Sequence, residues 1–277
     1  MDSSSAEEVR NTVREHYGKV AETNGAVGCA PGCCGAKPTA SATLGYSSDD
    51  LAYVPDGANL GLGCGNPQAI AGLRVGETVL DLGSGGGFDC FLAARQVGPT
   101  GRVIGVDMTP QMVTKARASA RQAGMVNVDF RLGEIEHLPV LDASVDVVLS
   151  NCVINLSPSK AEVIREAFRV LRPGGRLAIA DVVATSPLPE RFLGIEAALT
   201  GCAGGAAQVG DLERMLTEAG FAEIAVRPQP ESRAFIKDWM PGSGVEEYIA
   251  SATIEAIKPA AARACCGPEC CTSGASQ

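Results

Sequence analysis

Histidine is nearly missing from this chain of 277 residues: His16 and His137 are the two. Any chemistry it performs therefore has to rest mainly on other groups. Basic charge is also in deficit, with 23 Lys and Arg against 32 Asp and Glu and a net charge of −9. Phosphate binding needs a basic face, so nucleic acid is not expected as the main partner. No apolar run is long enough to span a bilayer, and no membrane partner is expected. The first residues, MDSSSAEEVR, lack the basic and apolar regions of a signal peptide. The expected compartment is the cytoplasm, where thiols are mostly reduced. Eleven cysteines there need an explanation other than a disulfide framework. Structural zinc at Cys29, Cys33, Cys34 and Cys64 is disfavoured, because paired C-x-x-C knuckles are absent.

Apolar residues make up 45% of the chain, enough for one large α/β domain or one with a small partner. The organising stretch is TVLDLGSGGGFDC, Thr78 to Cys90. It reads as a short strand (Thr78 to Leu82), a glycine turn (Gly83, Gly85, Gly86, Gly87) and the start of a helix. That arrangement brings backbone N–H groups and a helix N-terminus to the carboxyl edge of a sheet, where open α/β sheets bind nucleotide-like ligands. A dinucleotide fingerprint starting at Gly83 needs a glycine at position 88, which is Phe88. The pattern D-L-G-x-G-x-G, with Asp81 ahead of the loop, instead resembles the first motif of class I S-adenosylmethionine-dependent methyltransferases. Arg102 to Val106 reads as a second strand ending in Asp107. That acid, about 20 residues past the loop, is placed to hold two ribose hydroxyls.

Along the chain, Val9, Val13 and Val20 give Ala6 to Glu22 a helical period. Thr23 to Ser41 is a Gly, Ala, Pro and Cys loop without period. Ser48 to Val54 reads as a short helix capped by Ser47 or Ser48. Asn66-Pro67 is a cap and first-turn pair for a helix through Ala71. Alternating elements follow: helix Phe88 to Val97, helix Pro110 to Ala123, strand Asn127 to Leu132, strand Ser144 to Ser150, helix Lys160 to Leu171 and strand Arg176 to Val183. These βα units imply right-handed crossovers and a doubly wound, mostly parallel sheet. Pro189 to Leu199 and Val209 to Ala219 read as helices, and Phe221 to Val226 and Ile249 to Ile257 as strands. The class I resemblance implies a seven-stranded, Rossmann-like sheet closed by an antiparallel seventh strand.

The second informative stretch is DVVLSNCVINL, Asp146 to Leu156. Strand four of such a fold ends beside the transferred methyl group, and here it presents Asn151 and then Cys152, a thiol where substrate should be. Cys64 precedes the first strand, Cys202 lies after the fifth, and Cys33 and Cys34 lie on the N-terminal loop. Thiols far apart in sequence are thus able to converge over one cleft. YGKV (17 to 20), the loop with Cys34, GLGCGNP, LDLGSGGGFDC, GVDMT, SNCVINL, RPGG and the Cys202 segment follow one another in an order that resembles the arsenite S-adenosylmethionine methyltransferases, over residues 8 to 258. The resemblance implies that Cys34, Cys64, Cys152 and Cys202 are the four family cysteines, with Cys29 and Cys33 as alternatives to Cys34. It implies S-adenosylmethionine as methyl donor and trivalent arsenic as acceptor. It also implies a cofactor set of Asp81, Gly83, Ser84, Gly85, Asp107, Met108, Ile135, Glu136 and Asn151, with Ile135 and Glu136 beside the adenine. One departure is Leu62, where the family often carries an aromatic residue.

Trivalent arsenic is soft and prefers thiolates. Bound by three sulfurs it is pyramidal, and its lone pair can attack a sulfonium methyl without a general base. The resemblance further implies that oxidised arsenic is returned to the trivalent state by cysteines forming a disulfide, reopened by a thioredoxin- or glutathione-type reductant. A quinone- or sterol-type methyltransferase would share the fold but leave the cysteines unexplained. A non-catalytic arsenic-binding protein would leave Asp81, Gly83, Gly85 and Asp107 unexplained. Cys90 reads as a small buried hydrophobe. The expected organisation is residues 1–65 covering the site, 66–185 binding cofactor, 186–258 completing the substrate site, and a tail, 259–277. That tail carries the vicinal pairs Cys265-Cys266 and Cys270-Cys271, which suit capture or delivery of a soft metalloid.

Overall fold

The apolar run Thr78–Leu82 forms β1 and is buried in all but its first residue, as a parallel central strand must be. A computed structural model describes residues 3–25, 40–192 and 202–260 of the chain. Around β1 lie β2 (Arg102–Asp107), β3 (Val128–Leu132), β4 (Val145–Asn151) and β5 (Leu171–Ala184), all parallel. The order is β3-β2-β1-β4-β5, continued by two strands from the end of the described chain. β8 (Ile249–Ile257) runs antiparallel between β5 and β7 (Ala222–Gln229), as the closing strand was expected to do. A two-residue β6 (Ala207–Gln208) also pairs with β5 and makes eight strands, one more than expected. Two residues carry no readable period.

Helix α1 (Ser3–Glu22) leads the chain, and two short helices, α2 (Ala40–Thr43) and α3 (Ser48–Tyr53), follow. In α3, Ser47 Oγ accepts from Asp50 N–H while Asp50 reaches back to Ser47 N–H, a reciprocal cap. At α4 (Gln68–Ala71), Asn66 Oδ1 accepts from Gln68 and Ala69 N–H at 3.1 and 3.3 Å. Crossover helices α5 (Phe88–Val97), α6 (Pro110–Gln122) and α7 (Lys160–Val170) flank the sheet, and α8 (Val209–Ala219) packs against α7 and β7. Apolar clusters fill both faces, one around Leu80, Leu82 and Ile179, the other around Phe91, Val79 and Leu149. Val20 and Ala21 of α1 join Leu60 and Met112, which seats α1 against α6.

Several boundaries differ from the sequence reading by a few residues, and two differ more. β5 starts at Leu171 rather than Arg176, because Leu171 pairs with Val145 across a bulge. The Arg172–Gly175 segment stays on the sheet through mutual hydrogen bonds between Gly174, Gly175 and Lys258, each 2.8 Å. Within the expected helix Pro189 to Leu199, Glu190–Phe192 is a 3-10 turn, and 193–199 lies outside the described residues.

Register places the site. Leu82 is level with Val106 and Ser150, and Asn151 with Ala180. β1, β2, β4 and β5 therefore bring Gly83, Asp107, Asn151, Cys152 and Asp181 to one sheet edge.

Candidate active site

All nine residues expected to contact a cofactor line one cleft at that edge: Asp81, Gly83, Ser84, Gly85, Asp107, Met108, Ile135, Glu136 and Asn151. Gly83 has φ +65°, and a Cβ there would meet both methyls of Val153 at 2.5 Å. Gly85 (φ +50°) would instead project a Cβ into open space, so its need is conformational. Asp107 is buried; its Oδ2 accepts from Gly85 N–H at 2.9 Å and its Oδ1 from Thr109 N–H at 2.8 Å. Burial lifts its pKa, and those backbone donors offset part of the rise. Each carboxylate oxygen keeps a lone pair for a ligand hydroxyl.

The glycine-loop helix brings a second acid that sequence reading overlooked. Asp89, buried at the start of α5, accepts from Tyr46 Oη at 2.7 Å, Asn151 Nδ2 at 3.2 Å and Gln68 Nε2 at 3.3 Å. Asp81 is buried beside it and takes the Cys90 thiol at 3.2 Å. Cys90 is thus a buried small side chain, as expected, and also a hydrogen-bond partner of the motif acid. Burial first, and the neighbouring Asp89 next, push Asp81 well above the usual carboxylate range. Burial also raises Asp89, against its three side-chain donors. Among the described residues no Lys, Arg or His contributes to holding either acid. Ser84 Oγ is buried in the same wall without a hydrogen-bond partner among the described residues.

The far wall is different. Glu136 is buried, accepts from Ser157 Oγ at 2.6 Å and faces Arg10 Nε at 3.7 Å. Glu134 pairs with Arg10 at 3.5 Å and Arg14 at 3.3 Å. These glutamates tie α1 over the cleft, and Val13 and Tyr17 of that helix line it.

Three cysteines converge where the cleft ends. Cys64, Cys152 and Cys202 are all buried and share one apolar cluster with Val13, Leu156 and Trp239. The Cys64 and Cys152 sulfurs and a carboxylate oxygen of Asp181 lie within 4.8 Å of one another. Cys202 Sγ donates to Cys152 C=O at 2.9 Å. Cys152 and Cys202 both have left-handed backbone, φ +59° and +63°. Non-glycine residues rarely adopt it, and such strain persists where surrounding structure enforces it. Here Cys152 N–H is held by Ala180 C=O at 2.8 Å, and Asp181 takes Ile154 N–H (2.9 Å), Asn155 Nδ2 (2.9 Å) and Val182 N–H (2.7 Å). Leu62 lies in the cleft wall and packs against this cluster. Cys34, with Cys29 and Cys33, lies outside the described residues, as does the cysteine-bearing tail.

The Cys64 and Cys152 thiols are both pushed toward the protonated form. Burial pushes Cys64 up to about 11. The hydrogen bond with Cys202 lowers Cys152, but the bond with Cys64, burial and the charge of Asp181 outweigh it. Asp181 itself rises to about 6 through burial, restrained by its N–H donors and by Lys160. Neutral thiols suit a neutral oxyacid of a soft element. Each S–H proton leaves with a displaced hydroxide as water, so sulfur replaces oxygen without net charge entering the core.

Asp181, Lys160, Asp89 and Tyr46 are the site residues that sequence reading missed. Asp181 did carry a signal: it is the lone acid in the apolar strand LAIADVVA, and an unpaired buried carboxylate is costly. Tyr46 carried none.

Residues 73–220 match the family model described as a methyltransferase domain. The arsenite methyltransferase of Halobacterium salinarum is 55% identical over 265 residues, covering 92% of this chain and 68% of that protein. That of Aquipseudomonas alcaligenes is 39% identical over 233 residues, 81% of this chain and 65% of the relative. The chain thus spans about two thirds of the length of these relatives. Among solved structures, the arsenic(III) S-adenosylmethionine methyltransferase of Chlamydomonas reinhardtii superposes with a TM-score of 0.60 at 33% identity, over 80% of this chain and 74% of that one.

Proposed function

The chain belongs to the arsenite methyltransferase family, and on that premise we propose that it transfers a methyl group from S-adenosylmethionine to trivalent arsenic bound by its cysteines. The observation that carries this reading is the convergence of Cys64, Cys152 and Cys202, from three separate segments, at the end of the cofactor cleft. The cleft fits the cofactor by its own chemistry. Asp107 offers acceptors for paired hydroxyls, and Ile135 and Met108 offer apolar surface to a ring. Among the described residues Asp81 and Asp89 lack a cation, and Ser84 Oγ lacks a partner. When bound there, S-adenosylmethionine supplies an electrophilic methyl group on a sulfonium.

The protein's own part is placement. The thiols hold arsenic with its lone pair free, the apolar cluster excludes water, and no side chain has to remove a proton from the nucleophile. Methylation oxidises arsenic by two electrons. Two cysteine thiols return those electrons as they form a disulfide, and a thioredoxin- or glutathione-type reductant reopens it by exchange. Cys34 is proposed as the fourth cysteine, with residues 1–65 and 186–258 closing the site around the 66–185 cofactor unit. Among the described residues no helix is long and apolar enough to cross a membrane. A site that needs reduced thiols is proposed to work in the cytoplasm.

The test is formation of S-adenosylhomocysteine and methylated arsenic by the purified chain with a thiol reductant. Turnover should require arsenite. Cofactor consumption unaffected by arsenite would retain the fold and remove this substrate.

A further inference from the structure

Asn151 ends β4 one residue before Cys152, and its side chain faces both halves of the site. Oδ1 accepts from Cys64 N–H at 3.2 Å, and Nδ2 donates to Gly65 C=O at 2.9 Å. One amide therefore grips the backbone on both sides of the Cys64 thiol. The same Nδ2 lies 3.2 Å from Asp89 Oδ2 and 3.1 Å from Tyr46 Oη. Two amide hydrogens thus serve three acceptors, and the charge on Asp89 decides how firmly they are held. A bond to an ionised carboxylate is roughly twice as strong as a neutral one.

Asp89 shares the cleft wall with Asp81, and among the described residues neither has a cationic partner. Burial disfavours the charged form of both acids, and a cation entering the cleft beside them restores it. The strengthened bond from Asn151 to Asp89 then fixes the amide, and the fixed amide fixes Cys64. We infer that Asn151 is a positioning residue that couples the two substrates: the α-ammonium group of the cofactor's amino-acid end, felt through Asp89, preorganises Cys64 and raises the affinity of the thiol cluster for arsenite. The inference rests on the arsenite-methylation reading. By linkage, arsenite raises the affinity for the cofactor by the same factor.

Trp239 is the single tryptophan of the chain and sits in the cluster with all three thiols, so its fluorescence reports arsenite there. Arsenite is titrated into the full chain with a phosphine reductant, alone, with saturating S-adenosylhomocysteine, or with 5′-methylthioadenosine. The first nucleoside keeps the α-ammonium group; the second keeps the adenosine and sulfur but has no amino-acid end. We expect S-adenosylhomocysteine to tighten arsenite binding about tenfold and 5′-methylthioadenosine to leave it within about twofold. In Asn151→Ala, and in Asp89→Asn, which keeps the shape but removes the charge and turns one acceptor oxygen into a donor, the tightening should vanish. Equal tightening by both nucleosides, none by either, or undiminished tightening in both variants would overturn the inference. Failure of arsenite to perturb Trp239 under any condition would overturn the thiol site itself, a distinct result.

Discussion

The cofactor cleft and the thiol cluster share one sheet edge and meet at consecutive residues, Asn151 and Cys152, yet they are built in opposite ways. The cleft is made by contiguous pieces: a strand, its glycine loop and the helix that follows, plus acids at strand ends. Its backbone strain falls on glycines, which tolerate it. The thiol cluster takes one residue from each of three distant segments and sets two of them, Cys152 and Cys202, in left-handed backbone where no glycine helps. A contiguous motif can be held by local rules. A convergent one depends on anchors, here the buried Asp181 and the half-buried Asn151, that bind neighbouring backbone in place.

The comparison breaks most sharply at Cys152. Cys152→Ser should lower arsenite-dependent turnover at least about a hundredfold. Cofactor affinity, measured by calorimetry, should stay within a few-fold. If both fall together, the halves are not separable.

Asp181 tests the anchor. Its folded pKa of about 6 exceeds its ordinary value of 3.8. The folded protein therefore binds more protons than the unfolded chain between those values, and stability falls as pH rises through them. The loss amounts to about 3 kcal/mol. Asp181→Asn should remove that part of the pH dependence, read as the difference in urea unfolding free energy between pH 4 and pH 7 for the two proteins. Equal slopes would remove Asp181 as a titrating anchor.

Gly83→Ala acts on the other half. The added methyl meets Val153 and the φ is strained, so cofactor binding should weaken by about 2 kcal/mol. Arsenite binding measured without cofactor should hardly change. The smallest effect is expected at Arg10→Ala, which releases the long pairings of α1, 3.5 and 3.7 Å, with the partly exposed Glu134 and the buried Glu136. It should cost about 1 kcal/mol in thermal unfolding.

Legibility followed the same divide. The glycine loop, Asp107 and the parallel strands were readable because periodicity and spacing are local. Cys64, Cys152 and Cys202 were readable as thiols, but their meeting was a matter of resemblance, since no spacing encodes convergence. Asp89 sits inside the glycine motif, at the first turn of its helix, where an acid is ordinary and draws no notice. Tyr46 reaches it from the loop between α2 and α3, a contact no linear pattern carries. The early start of β5 at Leu171 was hidden by RPGG, which reads as a break but stays on the sheet through Lys258.

The most direct test of the thiol site is X-ray absorption at the arsenic edge on the arsenite-loaded chain, with a phosphine reductant so that every sulfur is the protein's own. An all-sulfur shell with three sulfurs, reduced when Cys64, Cys152 or Cys202 is changed to serine, is the predicted result. A shell that keeps oxygen, or one indifferent to all three substitutions, would contradict the account.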